Sequence, residues 1–395
     1  MKMKKILLLL VLIYSCDSEK ASEIKFEMGE YRFNSEIANL LNKTKDGGLA
    51  ATSYSFVSEN EKLIKAISTN PNTIEKASKE TWDLIQRRYK FYDARKIILK
   101  KAENYDFILI NEAHYIPQHR NFVRRLIPEL AKLGYSNLAL EGIGMMRNGE
   151  QFDKEIEQRG YPTTSSGLYT IEPEFGNLIR EAVDYGYRII GYDGGSGEDR
   201  EIQGAENILK AVQDNKGKTI VLCGWDHIKE VETGTYWEFA LAGRIRQYTG
   251  KDVLTVNQTA YYERDHRIYE DSIYQWTNVD SPKVLIDSNG ESLDLEENKE
   301  WYDLFVFHPR TKYQDGIPDW IINTSKIVNL KLPGIALKGP CKIFVYKKED
   351  DINIAVPIYV FEVDEIPENL KIPTFGEGRV KLVITNKKKS YEISK

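Results

Sequence analysis

From Asp106 to about Trp320 the chain alternates short apolar runs with helical stripes, and three of the runs end directly on reactive polar residues. Phe107-Ile-Leu-Ile110 leads into Asn111-Glu112-Ala113-His114, Asn137-Leu-Ala-Leu140 into Glu141, and Thr219-Ile-Val-Leu-Cys223 into Gly224-Trp225-Asp226-His227. Repeated strand–helix order predicts an α/β fold, a mostly parallel sheet with helices on both faces. In such a sheet ligands bind beyond the carboxyl ends of the strands, so residues distant in sequence converge there. Two histidines and two carboxylates are therefore expected at one rim.

The remaining elements follow the same logic. Phe122, Val123, Leu126, Ile127, Leu130 and Leu133 form a helical stripe closed by Gly134, with Pro128 expected to kink it. Leu178 to Val183 predict a second helix, followed by the strand Tyr187-Arg-Ile-Ile190, which ends at Gly191-Tyr192-Asp193. Ile202 to Val212 and Trp237 to Tyr248 predict two more helices, and Val253 to Val256 and Leu304 to Phe307 two more strands. Residues 33–104 read as a helical segment, with one long stripe from Thr73 to Leu99, packed as a cap on this 105–327 core. After about residue 328 the period changes. Cys341–Tyr346, Ile354–Val363 and Val380–Ile384 predict a small β-rich unit over 328–395, with Pro357 favouring an edge or bulge.

The amino terminus reads as targeting sequence. Lys2, Lys4 and Lys5 precede eight apolar residues, Ile6 to Ile13, too few to span a bilayer, which takes about 20. Ile13-Tyr14-Ser15-Cys16 fits a bacterial lipobox, so residues 1–16 are expected to supply a signal peptide and a lipid anchor on Cys16, with 17–32 as tether. The expected location is the cell envelope, as a membrane-anchored protein of the outer membrane or cell surface. Loss of the three lysines takes the formal charge from −5 to −8. An acidic chain without a basic block argues against nucleic acid as partner and leaves a small-molecule or peptide substrate. Cys223, at the end of an apolar run, is expected as a buried thiol.

Chemistry centres on the strand ends. Glu112 and His114 are i and i+2, so at an extended strand end both side chains can face one ligand. With His227 they could hold zinc, manganese or cobalt, leaving a position for water. Such a metal would make a hydroxide nucleophile near neutral pH. The same residues, with Glu141, could also act without metal, one taking a proton from water and another protonating the leaving group. Spacing leaves both schemes open. His119 is a further candidate toward a cofactor, and Asp193 and Asp226 are candidates to orient a histidine or to cap a helix. No Gly-x-Ser-x-Gly elbow, P-loop or Gly-x-Gly-x-x-Gly follows a strand, which argues against a common serine hydrolase, an NTPase and a dinucleotide enzyme.

Asn111-Glu112-Ala113-His114, with His119 and Arg120 behind it, resembles the Gly-Glu-x-His opening of the superfamily of erythromycin esterases, ChaN-like haem-binding lipoproteins and Tiki/TraB proteins. Leu138-Ala-Leu-Glu141 is similar to its second element, Tyr187–Asp193 to the aspartate-ended strand of the esterase branch, and Gly224-Trp-Asp-His227 to its Gly-x-x-His motif. The resemblance covers roughly residues 105–260, with one departure: Asn111 stands where the family has glycine. It implies a pocket of Glu112, His114, Glu141 and His227, used for hydrolysis of an ester or amide, with a divalent metal in some branches and haem iron bound in another. A lipid-anchored hydrolase is the leading expectation. A haem- or iron-binding lipoprotein and a non-catalytic interaction lipoprotein are the alternatives.

Overall fold

The computed structural model describes residues 21–68, 72–146, 149–213, 215, 217–233, 237–293, 301–376 and 379–394. The signal peptide, Cys16 and the first tether residues lie outside them.

The described chain opens with strand β1 (Ser22–Ile24) and helices α1 (Asn34–Thr44), α2 (Gly47–Phe56) and α3 (Asn60–Ile67). Helix α4 (Lys79–Arg88), strand β2 (Lys90–Asp93) and helix α5 (Ala94–Ala102) follow. The α/β part contains β3 (Phe107–Glu112), α6 (Pro117–Arg124), α7 (Ile127–Lys132), β4 (Tyr135–Gly144) and α8 (Ile156–Arg159). It continues with α9 (Pro173–Asp184), β5 (Arg188–Asp193), α10 (Glu198–Val212), β6 (Lys218–Gly224), α11 (Leu241–Thr249) and β7 (Leu254–Tyr261). Strands β8 (Lys283–Ile286), β9 (Leu304–Phe307), β10 (Tyr313–Gln314) and β11 (Ile317–Pro318) precede α12 (Asp319–Ile322). The chain ends with β12 (Lys326–Lys331), β13 (Cys341–Lys347), β14 (Tyr359–Val363), β15 (Asn369–Thr374), β16 (Val380–Thr385) and β17 (Ser390–Ser394).

The expected α/β architecture is present. An eight-stranded sheet runs β2-β8-β9-β7-β3-β6-β4-β5. The six strands from β9 to β5 are joined by parallel pairings, and β8 and β2 extend the sheet antiparallel. Successive side chains of a strand face opposite ways, and β3 is buried on both faces. Ile108 and Ile110 pack with Ile98, Val123, Leu130 and Leu178 on one face, and Phe107 and Leu109 with Ile208, Leu241 and Ile245 on the other. The chain passes from β3 to β4 and β5, then returns to place β6 between β3 and β4. The ends of β3, β6, β4 and β5 are thereby neighbours, and the functional motifs meet there.

A second, five-stranded antiparallel sheet runs β1-β17-β16-β13-β14. Phe344 and Tyr346 on one face pack against Ile37, Ala50 and Leu63 of α1 to α3, while Ile343 and Val345 pack against Leu370 and Ile372 on the other. Arg180 of α9, fully buried, binds Asp350 at 2.8 Å and ties this unit to the α/β part.

Several local expectations are corrected. The stripe from Thr73 to Leu99 is two helices separated by β2, because Lys90–Asp93 pairs with β8 at the sheet. Helices α1 to α3 cover the carboxyl-terminal sheet, whereas α5 belongs to the core of the large one. The tether contains β1, which pairs with β17. Pro128 does not kink one helix but opens a second, α7, at a first-turn position where its missing N–H costs no bond. Strand β14 starts after Pro357 instead of including it, and α11 starts at Leu241 rather than Trp237.

Candidate active site

Glu112 ends β3 at 3% exposure, where an unpaired carboxylate would be costly. Arg120, eight residues on in α6, meets it at two points, Nε to Oε2 and Nη2 to Oε1, both 2.7 Å. Arg120 is itself fully buried, stacks over Phe175 and donates from Nη1 to Glu172 at 3.1 Å. Glu172 caps α9 by accepting the N–H groups of Glu174 and Phe175. The result is a buried row of charges of alternating sign, Glu112, Arg120, Glu172.

His114 leans back on this row. Its Nδ1 lies 3.1 Å from Glu112 Oε1, and its ring stacks on Tyr169 with centroids 4.3 Å apart. A carboxylate only accepts, so Nδ1 donates this hydrogen bond. That Nε2 is 3.6 Å from Glu141 Oε1. Gly224 explains the close fit: a Cβ there would come within 2.5 Å of the His114 ring.

Glu141 sits where β4 parts from β5 at a register shift between Leu140 and Gly144. Its Oε2 accepts the N–H of Gly224, and its Oε1 accepts from Arg200 Nη2 at 2.5 Å. Arg200, in the first turn of α10, also holds Asp193 through Nε at 2.7 Å and lies 3.3 Å from His227 Nε2. His227 is built like His114. Its Nδ1 is 2.8 Å from Glu201 Oε1, its Nε2 is 3.8 Å from Glu141 Oε1, and its ring packs on Trp237. Two carboxylate-backed imidazoles thus point their outer nitrogens at one carboxylate oxygen.

Electrostatics divides the roles. For Glu112 burial works upward, but the charge of Arg120 and hydrogen bonds from His114 and Arg120 hold the carboxyl below its ordinary range. In Glu141 burial is likewise outweighed, by His227, His114 and Arg200. Burial would lower His227, yet the bond to Glu201 and the charges of Glu141 and Glu201 raise it, favouring the imidazolium. Burial pushes Glu172 up to about 7 against the pull of Arg120.

Of the residues singled out from sequence, Glu112, His114, Glu141, Asp193 and His227 come together. His119 and Asp226 do not. His119 is fully buried, and its Nδ1 accepts the N–H of Ala113 at 3.1 Å, pinning the turn after Glu112. It packs on Tyr262 and His308, and burial holds it neutral. Asp226 points outward to Lys229 and Tyr302. His308 binds Gln258 Oε1 within the core, where burial lowers it to about 3. Sequence reasoning missed Arg200, Glu201, Glu172 and Tyr169. The usable signal was a charged first helical turn directly after a strand that ends on Asp193.

The donor set does not fit the expected metal. Among the described residues no group of three or more His, Cys, Asp or Glu is arranged to hold one. The physical reason is Arg200, whose guanidinium takes the position between Glu141 and His227 that a shared cation would need, while Arg120 takes both oxygens of Glu112. Both Nε2 atoms face Glu141. Among the described residues Cys223 and Cys341 are free and buried, as expected for Cys223.

No protein-family model matches the chain, and no curated protein matches it by sequence. Its structure is similar to that of the type III effector HopBA1, with a TM-score of 0.35 and 10% identity over 56% of this chain and 96% of that one. A Bacillus cereus protein gives 0.34 and 11% over 58% and 97%. ChaN of Campylobacter jejuni, solved with cofacially bound haem, gives 0.26 and 14% over 47% and 95%. Likeness at these scores is one of general arrangement, and the chemistry has to be read from the side chains.

Proposed function

We propose that the chain is a hydrolase that cleaves an ester or amide by metal-free acid–base catalysis between His114 and His227. One observation carries the reading: each imidazole is fixed by its own carboxylate, Glu112 or Glu201, and the two outer nitrogens converge on Glu141. His114, whose backing carboxylate is already shared with Arg120, is the base. In the neutral form of the ring, Nε2 takes a proton from water, and the water oxygen bonds to the substrate carbonyl carbon. Arg200, partly exposed at the site, faces the oxygen on which negative charge develops. His227, in its imidazolium form, gives its Nε2 proton to the leaving oxygen or nitrogen as that bond breaks. Glu141 stabilises whichever imidazole is charged and passes the proton back from His114 to His227.

Lipid anchoring through Cys16 at the cell envelope belongs to the same proposal, supported by Lys2, Lys4, Lys5 and the apolar run before Ser15. Metabolic labelling with a fatty acid, lost in Cys16→Ala, tests it. For the hydrolase, turnover of a panel of activated esters and peptides is compared between the wild type, His114→Ala and His227→Ala. Removal of one acid–base partner is expected to lower turnover by about 10²–10⁴-fold. Turnover unchanged in both variants, or haem binding with a Soret band lost in His114→Ala, would refute the reading.

A further inference from the structure

Strand β5 is an edge strand, the last in the large sheet among the described residues. Its outward N–H groups are met only by side-chain tips: Ile189 donates to Glu157 Oε1 at 2.8 Å and Gly191 to Gln151 Oε1 at 2.9 Å. In a β ladder the carbonyls of those same residues face the same way. Along this edge lies a cleft of about 500 Å³, floored by Arg188 to Gly191. Asn207 and Lys210 of α10 line it, as do Gln151 and Lys154. The strand leads out of this cleft to Asp193, whose carboxylate holds Arg200 at the site.

We propose that this groove docks an extended polypeptide segment as an added strand and delivers it to the His114–His227 centre. The occupant follows from the chemistry of the floor. Its donors and acceptors are main-chain groups repeating every second residue, about 6.6 Å apart, a spacing that another strand matches. Exposed sheet edges bind peptides in this way, with affinity from the main chain and selectivity from flanking pockets. Glu157 and Gln151 cover the edge in the free protein, as side chains or loops commonly do. They donate nothing to the strand's carbonyls, and a peptide backbone replaces their oxygens one for one while supplying N–H groups. The walls carry both signs, with Lys154 and Lys210 near Glu150 and Glu157, so main-chain pairing rather than net charge sets the preference. Binding stands independently of the hydrolase reading, and what happens to the bound segment rests on it.

The test is hydrogen exchange of the full chain with and without a permanently unfolded probe, reduced and carboxymethylated lactalbumin. The same experiment is run on Lys154→Trp/Lys210→Trp, which fills the groove from two exposed positions away from the catalytic groups. The expected result is several-fold slower exchange over residues 187–193 with probe in the wild type and none in the double variant. No slowing in the wild type, or equal slowing in both, would overturn the proposal. Ester turnover on the same samples reads the other proposal separately: protection of β5 without any turnover leaves the groove standing and sinks the hydrolase.

Discussion

The side-chain amide of Asn111 donates to the main-chain carbonyl of Trp225 at 2.7 Å, and Trp225 is the residue that turns left-handed, at φ 46°. That turn follows Gly224 and brings His227 back over the strand ends. A tryptophan in this region of backbone space is strained, and such strain persists only where the surroundings enforce it. Asn111, fully buried, also accepts the N–H of Gln258 and donates to Thr259. Asn111 is therefore the clamp between β3, the β6 turn and β7. Its removal in Asn111→Gly should lower stability by about 1–3 kcal/mol by leaving buried partners unmet. It should also weaken turnover, read from urea unfolding and ester assays together.

Arg120 is the cation of the buried row. Its removal in Arg120→Met leaves Glu112 and Glu172 buried without their shared partner. Breaking a buried pair in this way costs about 3–5 kcal/mol. Denaturant unfolding at neutral pH should show that loss. A change below about 1 kcal/mol would mean that the row is not the support of the site.

Acid and base limbs of stability come from different groups. Glu112 and Glu141 titrate lower in the folded state, so their contribution is present above the unfolded value, about 4.3, and lost as pH falls through the folded ones. His227 titrates higher when folded, so its contribution is complete below about 6.5 and lost as pH rises through the raised value. The melting temperature of the wild type should fall on that alkaline side. In His227→Asn the alkaline fall should flatten, and the part of the acid limb that Glu141 owes to His227 should shrink with it.

Glu172 works in the opposite sense to the other carboxylates. Burial raises it from 4.5 to about 7, so the folded chain holds its proton more tightly. Stability contributed this way is complete below the unfolded value and lost as pH rises toward 7, on the order of 3 kcal/mol. Glu172→Gln should remove this slope between pH 4.5 and 7, with unfolding free energy measured at several pH values.

The sheet was legible because its central strands are buried on both faces and read as short apolar runs, and the site because β3 ends on Glu112, β4 carries Glu141 near its end and β6 ends on Gly224, just before His227. Long-range pairing was not legible. Lys90–Asp93 becomes a strand only through β8, and Ser22–Ile24 only through β17. Arg200 and Glu201 were hidden for a related reason: a charged first turn usually faces solvent, and only the placement of β5 beside β4 turns this one onto Glu141 and His227. His119 misled because its neighbourhood in sequence matches a site, while α6 rotates it into the core.

The central claim is that two carboxylate-backed histidines hydrolyse substrate with an arginine, not a metal, between them. Metal content and ester turnover measured on one chelator-dialysed sample test it most directly. The expected result is less than stoichiometric metal with turnover intact, and loss of turnover in His114→Ala and in His227→Ala. Turnover that disappears on dialysis and returns with one equivalent of zinc, manganese or cobalt would contradict it.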